Sequence, residues 1–163
     1  MKIAVLSDTH DNIWKLDKAL LQMGEASLLI HCGDLCSPFV VKRIGEAADG
    51  RPVHIVWGNN EGDIRLICQV VSEYPNIQLH GAFAEIEVEG IKIAVNHYPE
   101  IARSLATSGQ YQLVCYGHDH TAYTKAKGNC IILNPGELMG LYGRTTFAFF
   151  DIPTRKVEFI DVK

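Results

Sequence analysis

A unit of apolar strand, polar loop and amphipathic helix occurs three times in succession within residues 2–71, and it restricts the possible folds more than any other feature. Lys2–Leu6 is a short apolar run of the kind a buried strand shows, and it ends in the polar stretch Ser7-Asp8-Thr9-His10-Asp11-Asn12. Asn12 is placed to cap the helix whose apolar face is Ile13, Leu16, Leu20 and Met23, and Gly24 stops that helix. The second unit runs from Ser27–Ile30 through His31-Cys32-Gly33-Asp34-Leu35-Cys36 to a helix opened by Ser37-Pro38, with Val40, Val41 and Ile44 on its inner side. The third runs from Val53–Trp57 through Gly58-Asn59-Asn60-Glu61-Gly62-Asp63 to a helix bearing Ile64, Ile67, Cys68 and Val71. A helix between two strands carries the chain back along the sheet, so consecutive strands are parallel and joined by right-handed crossovers. All three polar loops then open on the carboxyl edge of that sheet, where such folds bind ligands.

The pattern changes after residue 77. Ile77–Leu79 reads as a short strand, and Phe83–Val88 and Ile91–Val95 flank Glu89-Gly90 as a tight hairpin. Asn96-His97-Tyr98-Pro99 follows, then a helix over Glu100–Thr107 closed by Gly109, then Leu113–Tyr116. The remainder reads as strand: Ala122–Lys125, Cys130–Leu133, Thr145–Asp151 and Lys156–Asp161, with turns at Lys127-Gly128-Asn129 and Ile152-Pro153-Thr154. A parallel first half and an antiparallel second half imply an α/β protein of two sheets packed face to face, with helices outside. At 163 residues the chain is read as one domain, 1–163, long enough to bury a substantial core.

Composition removes several function classes. The net charge of -4 argues against general nucleic-acid binding, which draws on basic patches, although a local basic groove stays open. No apolar run approaches the ~18 residues that span a bilayer, and Met1–Leu6 is too short for a signal peptide. The five cysteines, Cys32, Cys36, Cys68, Cys115 and Cys130, are odd in number and hold no C-x-x-C pair. They read as reduced thiols of a cytoplasmic protein, mostly small core residues.

The chemistry lies at the strand ends. In Gly117-His118-Asp119-His120 the two histidines are spaced i, i+2, so on extended backbone both imidazoles point the same way. An isolated H-x-H is weak evidence for a metal. Here five strand ends carry ligand-type residues: Asp8 with His10, Asp34, Asn59, His97, and His118 with His120. Four imidazoles, two carboxylates and one amide oxygen are too many donors for one ion. They suit two ions with about four protein donors each when one carboxylate bridges. Imidazole mixed with carboxylate favours a transition ion over calcium.

These segments resemble the calcineurin-like metallophosphoesterases, and more narrowly the small YfcE-type bacterial and archaeal phosphodiesterases. That family's D-x-H, G-D, G-N-x-[DE], H and G-H-x-H motifs stand here, in order, as Asp8-Thr9-His10, Gly33-Asp34, Gly58-Asn59-Asn60-Glu61, His97 and Gly117-His118-Asp119-His120. Asn134-Pro135-Gly136 matches the subfamily's N-P-G turn, and the resemblance runs from residue 3 to at least residue 137. It implies a four-layer α/β/β/α sandwich of two mixed β-sheets flanked by helices. It implies that Asp8, His10 and His120 hold one divalent ion, that Asn59, His97 and His118 hold the other, and that Asp34 bridges them. Manganese is the first expectation for those ions, with iron, zinc, nickel or cobalt as alternatives. The implied activity is hydrolysis of phosphodiester bonds by a metal-bridging hydroxide, with no covalent enzyme intermediate. The implied partner is a small phosphodiester substrate, with no membrane; a homo-oligomer is compatible with the sequence. Two other readings stay open: a phosphomonoesterase or nucleotidase using the same site, and a non-catalytic scaffold like the retromer subunit of this fold. That subunit has lost ligand-motif residues, whereas this chain keeps all seven.

Two positions depart from the wider superfamily. Where larger members have G-N-H-[DE], with a histidine proposed to act on the leaving group or the phosphate, this chain has Asn60. Asparagine donates a hydrogen bond to a phosphate oxygen but supplies no proton at neutral pH. Asn60 and Asp34 are therefore the catalytic expectations, the general acid stays unassigned, and His31 is the first alternative proton donor to test. Tyr98 stands where many relatives have glycine, as bulk beside the second metal or as a Tyr-Pro helix start. Glu61, Asp63 and Asp119 are either orienters of ligands or solvated loop carboxylates. His31, His54 and His80 match no ligand position and are expected as polar or half-buried strand-edge residues.

Overall fold

The computed structural model describes residues 1–163. The three repeated units are present as β1 (Lys2–Leu6), α1 (Ile13–Gln22), β2 (Leu28–His31), α2 (Pro38–Ala48), β3 (Val53–Ile55) and α3 (Ile64–Val71). After β4 (Ile77–Leu79) come β5 (Phe83–Val88), β6 (Ile91–Asn96), α4 (Pro99–Thr107), β7 (Leu113–Cys115), β8 (Tyr123–Lys127), β9 (Cys130–Asn134), β10 (Thr146–Asp151) and β11 (Lys156–Asp161). Asn12 caps α1 by accepting from the Lys15 N–H, and Asp63 caps α3 by accepting from the Leu66 N–H. At the β5–β6 hairpin both Glu89 and Gly90 have positive φ, 47° and 77°, as a two-residue type I′ turn requires.

The strands form two mixed sheets, in the orders β11-β10-β1-β2-β3-β4 and β5-β6-β7-β9-β8. The central strands are apolar on both sides because both sides are covered. Ala4 and Leu6 of β1 point outward to Leu16, Met23 and Ile44 of the helices, while Ile3 and Val5 point inward to Ile93, Val95 and Leu133 of the second sheet. The outer face of that sheet is closed by Ala102 and Ala106 of α4 over Ala94, Val114 and Ile132. The layers are therefore α/β/β/α.

The division into a parallel first half and an antiparallel second half does not hold. β10 and β11 leave the second half and join the first sheet, β10 running antiparallel to β1 with Lys2 opposite Asp151 and Val5 opposite Ala148. The reason lies in Phe147-Ala148-Phe149-Phe150: Phe147 and Phe149 pack on the helix side, Ala148 and Phe150 between the sheets. A strand apolar on both sides needs cover on both sides, and the place beside β1 provides it. In the second sheet β6, β7 and β9 are parallel, because α4 carries the chain back between β6 and β7 and the β8 strand carries it back before β9.

Candidate metal centre

The seven donor residues leave the carboxyl ends of β1, β2, β3, β6 and β7 and meet between the sheets' edges. Their backbones are unusual. Asp8, His10, Asp34, His118 and His120 have φ of 51°, 41°, 58°, 74° and 56°, a left-handed region that costs a non-glycine residue energy and that clusters at functional sites. His118 and His120 lie beyond the end of β7 in this left-handed region, so the alternation of an extended strand does not set their directions. Glycine precedes three of the donors for want of room: a Cβ on Gly33 would strike His97 Nδ1 and the Gly58 backbone, one on Gly58 would strike Asp34 Oδ1, and one on Gly117 would strike Ser7 Oγ and Asp8 Oδ2.

Asp34 divides the donors into two sets. Its Oδ2 lies 3.4 Å from His10 Nε2, which is 3.8 Å from Asp8 Oδ1; that oxygen is in turn 3.4 Å from His120 Nε2. Its Oδ1 lies 3.4 Å from His97 Nε2, which is 3.0 Å from Asn59 Oδ1, and that oxygen is 2.8 Å from His118 Nδ1. Donors that each stand about 2.1 Å from one first-row ion are roughly 3–3.5 Å apart. Asp8, His10 and His120 offer donor atoms that all lie within 4.8 Å of one another, as do Asp8, Asp34 and His97. Asn59 and His118 join the second set through the successive contacts just given. His10 Nε2 is buried with no hydrogen-bond partner in the protein, an orphan of the kind an ion would satisfy. The donor types and spacing therefore fit two divalent ions. Burial acts to raise the Asp34 pKa, but hydrogen bonds from His97 and Asn60 outweigh it and hold the carboxyl well below the usual range, so it is anionic at neutral pH.

Three imidazoles are oriented from behind. His97 donates through Nδ1 to the Cys32 carbonyl at 2.8 Å, and His120 donates through Nδ1 to Glu137 Oε2 at 2.6 Å. His10 Nδ1 lies 3.5 Å from Cys36 Sγ. Occupying Nδ1 leaves Nε2 as the lone-pair nitrogen facing the donor set, which is how ligating histidines are usually fixed. Glu137 is a functional residue that sequence reasoning missed. It is fully buried, and its other oxygen, Oε1, accepts from the N–H groups of Leu141, Tyr142 and Gly143 at 2.9, 2.7 and 3.2 Å. The available signal was a carboxylate directly after the N-P-G turn.

The other candidates fall into place. Glu61 accepts from the backbone N–H groups of Asp34, Cys36 and Gly58, tying the second and third loops together, and Asp63 is the α3 cap. Asp119 accepts from Asn134 Nδ2 at 2.7 Å and from the Thr121 N–H. Asn60 donates to both Asp34 oxygens, N–H to Oδ1 and Nδ2 to Oδ2, each at 2.8 Å. The second N–H of Nδ2 is left for another acceptor, such as a phosphate oxygen. His31 is fully buried: its Nδ1 accepts from the Gly33 N–H at 3.1 Å, so its Nε2 donates to Thr9 Oγ1 at 2.6 Å. With both nitrogens engaged and no solvent access, it is ruled out as a proton donor to a leaving group. Burial pushes its pKa down to about 4. His54 and His80 are half-buried and face each other, Nδ1 to Nε2, at 2.8 Å.

Residues 1–155 match the family model of the calcineurin-like phosphoesterase superfamily domain, and the chain belongs to that superfamily. Phosphodiesterase MJ0936 of Methanocaldococcus jannaschii is 28% identical over 167 residues, spanning 99% of this chain and 98% of that protein. The structure of an archaeal phosphodiesterase superposes with a TM-score of 0.90 at 27% identity, covering 99% of both chains. The YfcE phosphoesterase of E. coli shares the fold at a TM-score of 0.70 and 17% identity over the full length of both chains. Vps29 of Entamoeba histolytica, in a zinc complex, shares it at 0.66 and 19%, also over both full lengths. No helix is long and apolar enough to cross a membrane.

Proposed function

We propose that the protein hydrolyses phosphodiesters at a centre of two divalent transition ions, manganese first among them. Asp8, His10 and His120 hold one ion, Asn59, His97 and His118 the other, and Asp34 bridges. The observation that carries this reading is the division of Asp34: one carboxylate oxygen faces each donor set. Bound there, the ions would lower the pKa of a shared water and neutralise charge on an in-line phosphoryl displacement. The protein's own part is positional. Asn60 clamps both Asp34 oxygens, and Glu137, Cys32 and Cys36 engage the Nδ1 of three imidazoles. In the overall reaction a water oxygen bonds to phosphorus, the bond to one ester oxygen breaks, and that oxygen leaves protonated as an alcohol. The other ester group stays on a phosphomonoester product.

The diester reading takes support from the 28% identical phosphodiesterase, which matches nearly end to end. The scaffold reading loses ground because all seven donors are retained and converge. The test combines metal analysis with hydrolysis of a diester and a monoester of the same leaving group. Two ions per chain, and a manganese-dependent diesterase activity that chelator abolishes, are expected. Full activity after exhaustive chelation would sink the two-metal reading. Faster monoester turnover would replace phosphodiesterase with phosphomonoesterase.

A further inference from the structure

Two tyrosines wall the mouth of the centre, one over each donor set. The Tyr98 ring stands edge-on to His118 and His97, with centroids 5.1 and 5.3 Å away. The Tyr142 ring stands edge-on to His120 at 5.4 Å and 78°. Tyr98 is 36% exposed and Tyr142 is 74% exposed, so each touches a ligand imidazole while presenting much of its ring to solvent.

Neither ring sits on a loose segment. Tyr98 is held by its own N–H to Asn96 Oδ1 at 2.8 Å and by Pro99, the first residue of α4. The segment bearing Tyr142 is gathered by three successive N–H groups onto Glu137, whose other oxygen orients His120. Its base is closed by the Met139 N–H to the Asp8 carbonyl and by Asn12 Nδ2 to the Met139 carbonyl. Glu137, which orients His120, therefore also positions the segment bearing Tyr142. A rigid exposed tyrosine offers a large contact face at little entropic cost. No lysine or arginine hydrogen-bonds to any of the seven donors or to either tyrosine.

We propose that Tyr98 and Tyr142 are two aromatic subsites, one on each side of the phosphorus, that select diesters carrying planar aromatic ester groups such as nucleoside or aryl groups. The proposal rests on the phosphodiesterase reading above and gives it a substrate class. A diester has an ester group for each wall, whereas a monoester leaves one wall without a partner. Stacking on such faces tolerates any base, because every base has a π-face.

The test uses three 4-nitrophenyl phosphodiesters with the same leaving group and different second ester groups: methyl, phenyl and thymidin-5′-yl. Manganese-loaded wild type, Tyr98→Leu, Tyr142→Leu and the two corresponding Phe variants are compared. In wild type, KM should be lower for phenyl and thymidinyl than for methyl. At least one Leu variant should erase that preference, raising the aromatic-to-methyl KM ratio about five- to twentyfold, and its Phe counterpart should restore it. Titration with diphenyl and dimethyl phosphate reads the same preference by binding, without turnover. If wild type hydrolyses all three but neither Leu variant changes the ratio, the aromatic subsites are refuted. If wild type hydrolyses none of them, the phosphodiesterase reading itself fails.

Discussion

The two halves of the centre are built differently. The half at Asp8, His10 and His120 contains a carboxylate of its own, and Asp8 is fully buried. A second buried carboxylate, Glu137, backs His120. The half at Asn59, His97 and His118 has a neutral amide in place of Asp8, and both Asn59 and His118 are exposed. Its one negative donor is the shared oxygen of Asp34. Coulomb attraction and enclosure both favour cation retention in the first half. The second half is the more open and the more weakly charged, and Tyr98 lies over it. In the two-ion reading proposed above, the difference would suit a division of labour in which one ion is held and the other exchanges or meets substrate.

The most severe way to break the comparison is to remove what the halves share. Asp34→Asn should lower turnover by several orders of magnitude and reduce bound metal below two ions per chain, measured by steady-state rates and elemental analysis. His54→Gln and His80→Gln are the controls and should stay within a few-fold of wild type. If either matched Asp34→Asn, the donor assignment would be incomplete.

Next comes the buried histidine beneath both halves. His31 bonds to Thr9, between Asp8 and His10, and to Gly33, next to Asp34. Its folded pKa is depressed to about 4 from 6.5, so the unfolded chain binds the proton first as pH falls. Its contribution to stability is complete above pH 6.5, is lost as pH falls towards 4, and amounts to roughly 3 kcal/mol over that window. Denaturant unfolding of the chelated protein at pH 7 and pH 4.5 should show this loss, and His31→Gln should show a shallower one. His54, depressed to about 4 by burial and then by the neighbouring His80, titrates in the same window. The difference between wild type and His31→Gln isolates His31. Equal slopes would contradict its assignment as a buried neutral residue.

A smaller change separates the halves. Glu137→Gln places an amide where His120 Nδ1 now donates, which favours the wrong tautomer. Metal affinity of the first half should fall about 10- to 100-fold. Two-site calorimetric titration should show the tighter step weakened and the weaker step kept. Weakening of both steps alike would mean that the halves are not independent.

The parts of this picture that sequence conveys are local. Asp8, His10, Asp34, Asn59, His97, His118 and His120 stand out because each sits in a polar break after an apolar strand, and the break itself marks the sheet's carboxyl edge. The placement of β10 is tertiary, and yet the doubly apolar Phe147-Ala148-Phe149-Phe150 run held a clue to it, since a half-exposed antiparallel strand alternates. Glu137 offered only its place directly after the N-P-G turn, because its partners are His120 and backbone groups of residues 141–143 that no local pattern links to it. His31 ends a strand that is apolar on both faces, and its complete burial follows from the loops packed over it.

The smallest expected effect concerns Asn60, whose amide clamps the atom that joins the halves. Asn60→Ala keeps the backbone N–H bond to Asp34 Oδ1 and loses the side-chain bond to Oδ2. One charge-assisted hydrogen bond amounts to roughly 1–3 kcal/mol, and the exposed position puts the loss at the low end, about tenfold in rate. The same residue bears on the leaving group. Asparagine supplies no proton, and His31 is sealed from the mouth, so departure should depend steeply on the leaving group's own acidity. Nitrophenyl esters should turn over well and simple alkyl esters poorly. Asn60→His should restore a donor and help the poor leaving groups more than the good ones. The measurement is the rate across a series of aryl and alkyl esters for wild type and both variants. A flat dependence on leaving-group pKa in wild type, with chemistry rate-limiting, would assign the proton to a group outside the third loop and leave Asn60 solely as the clamp on Asp34.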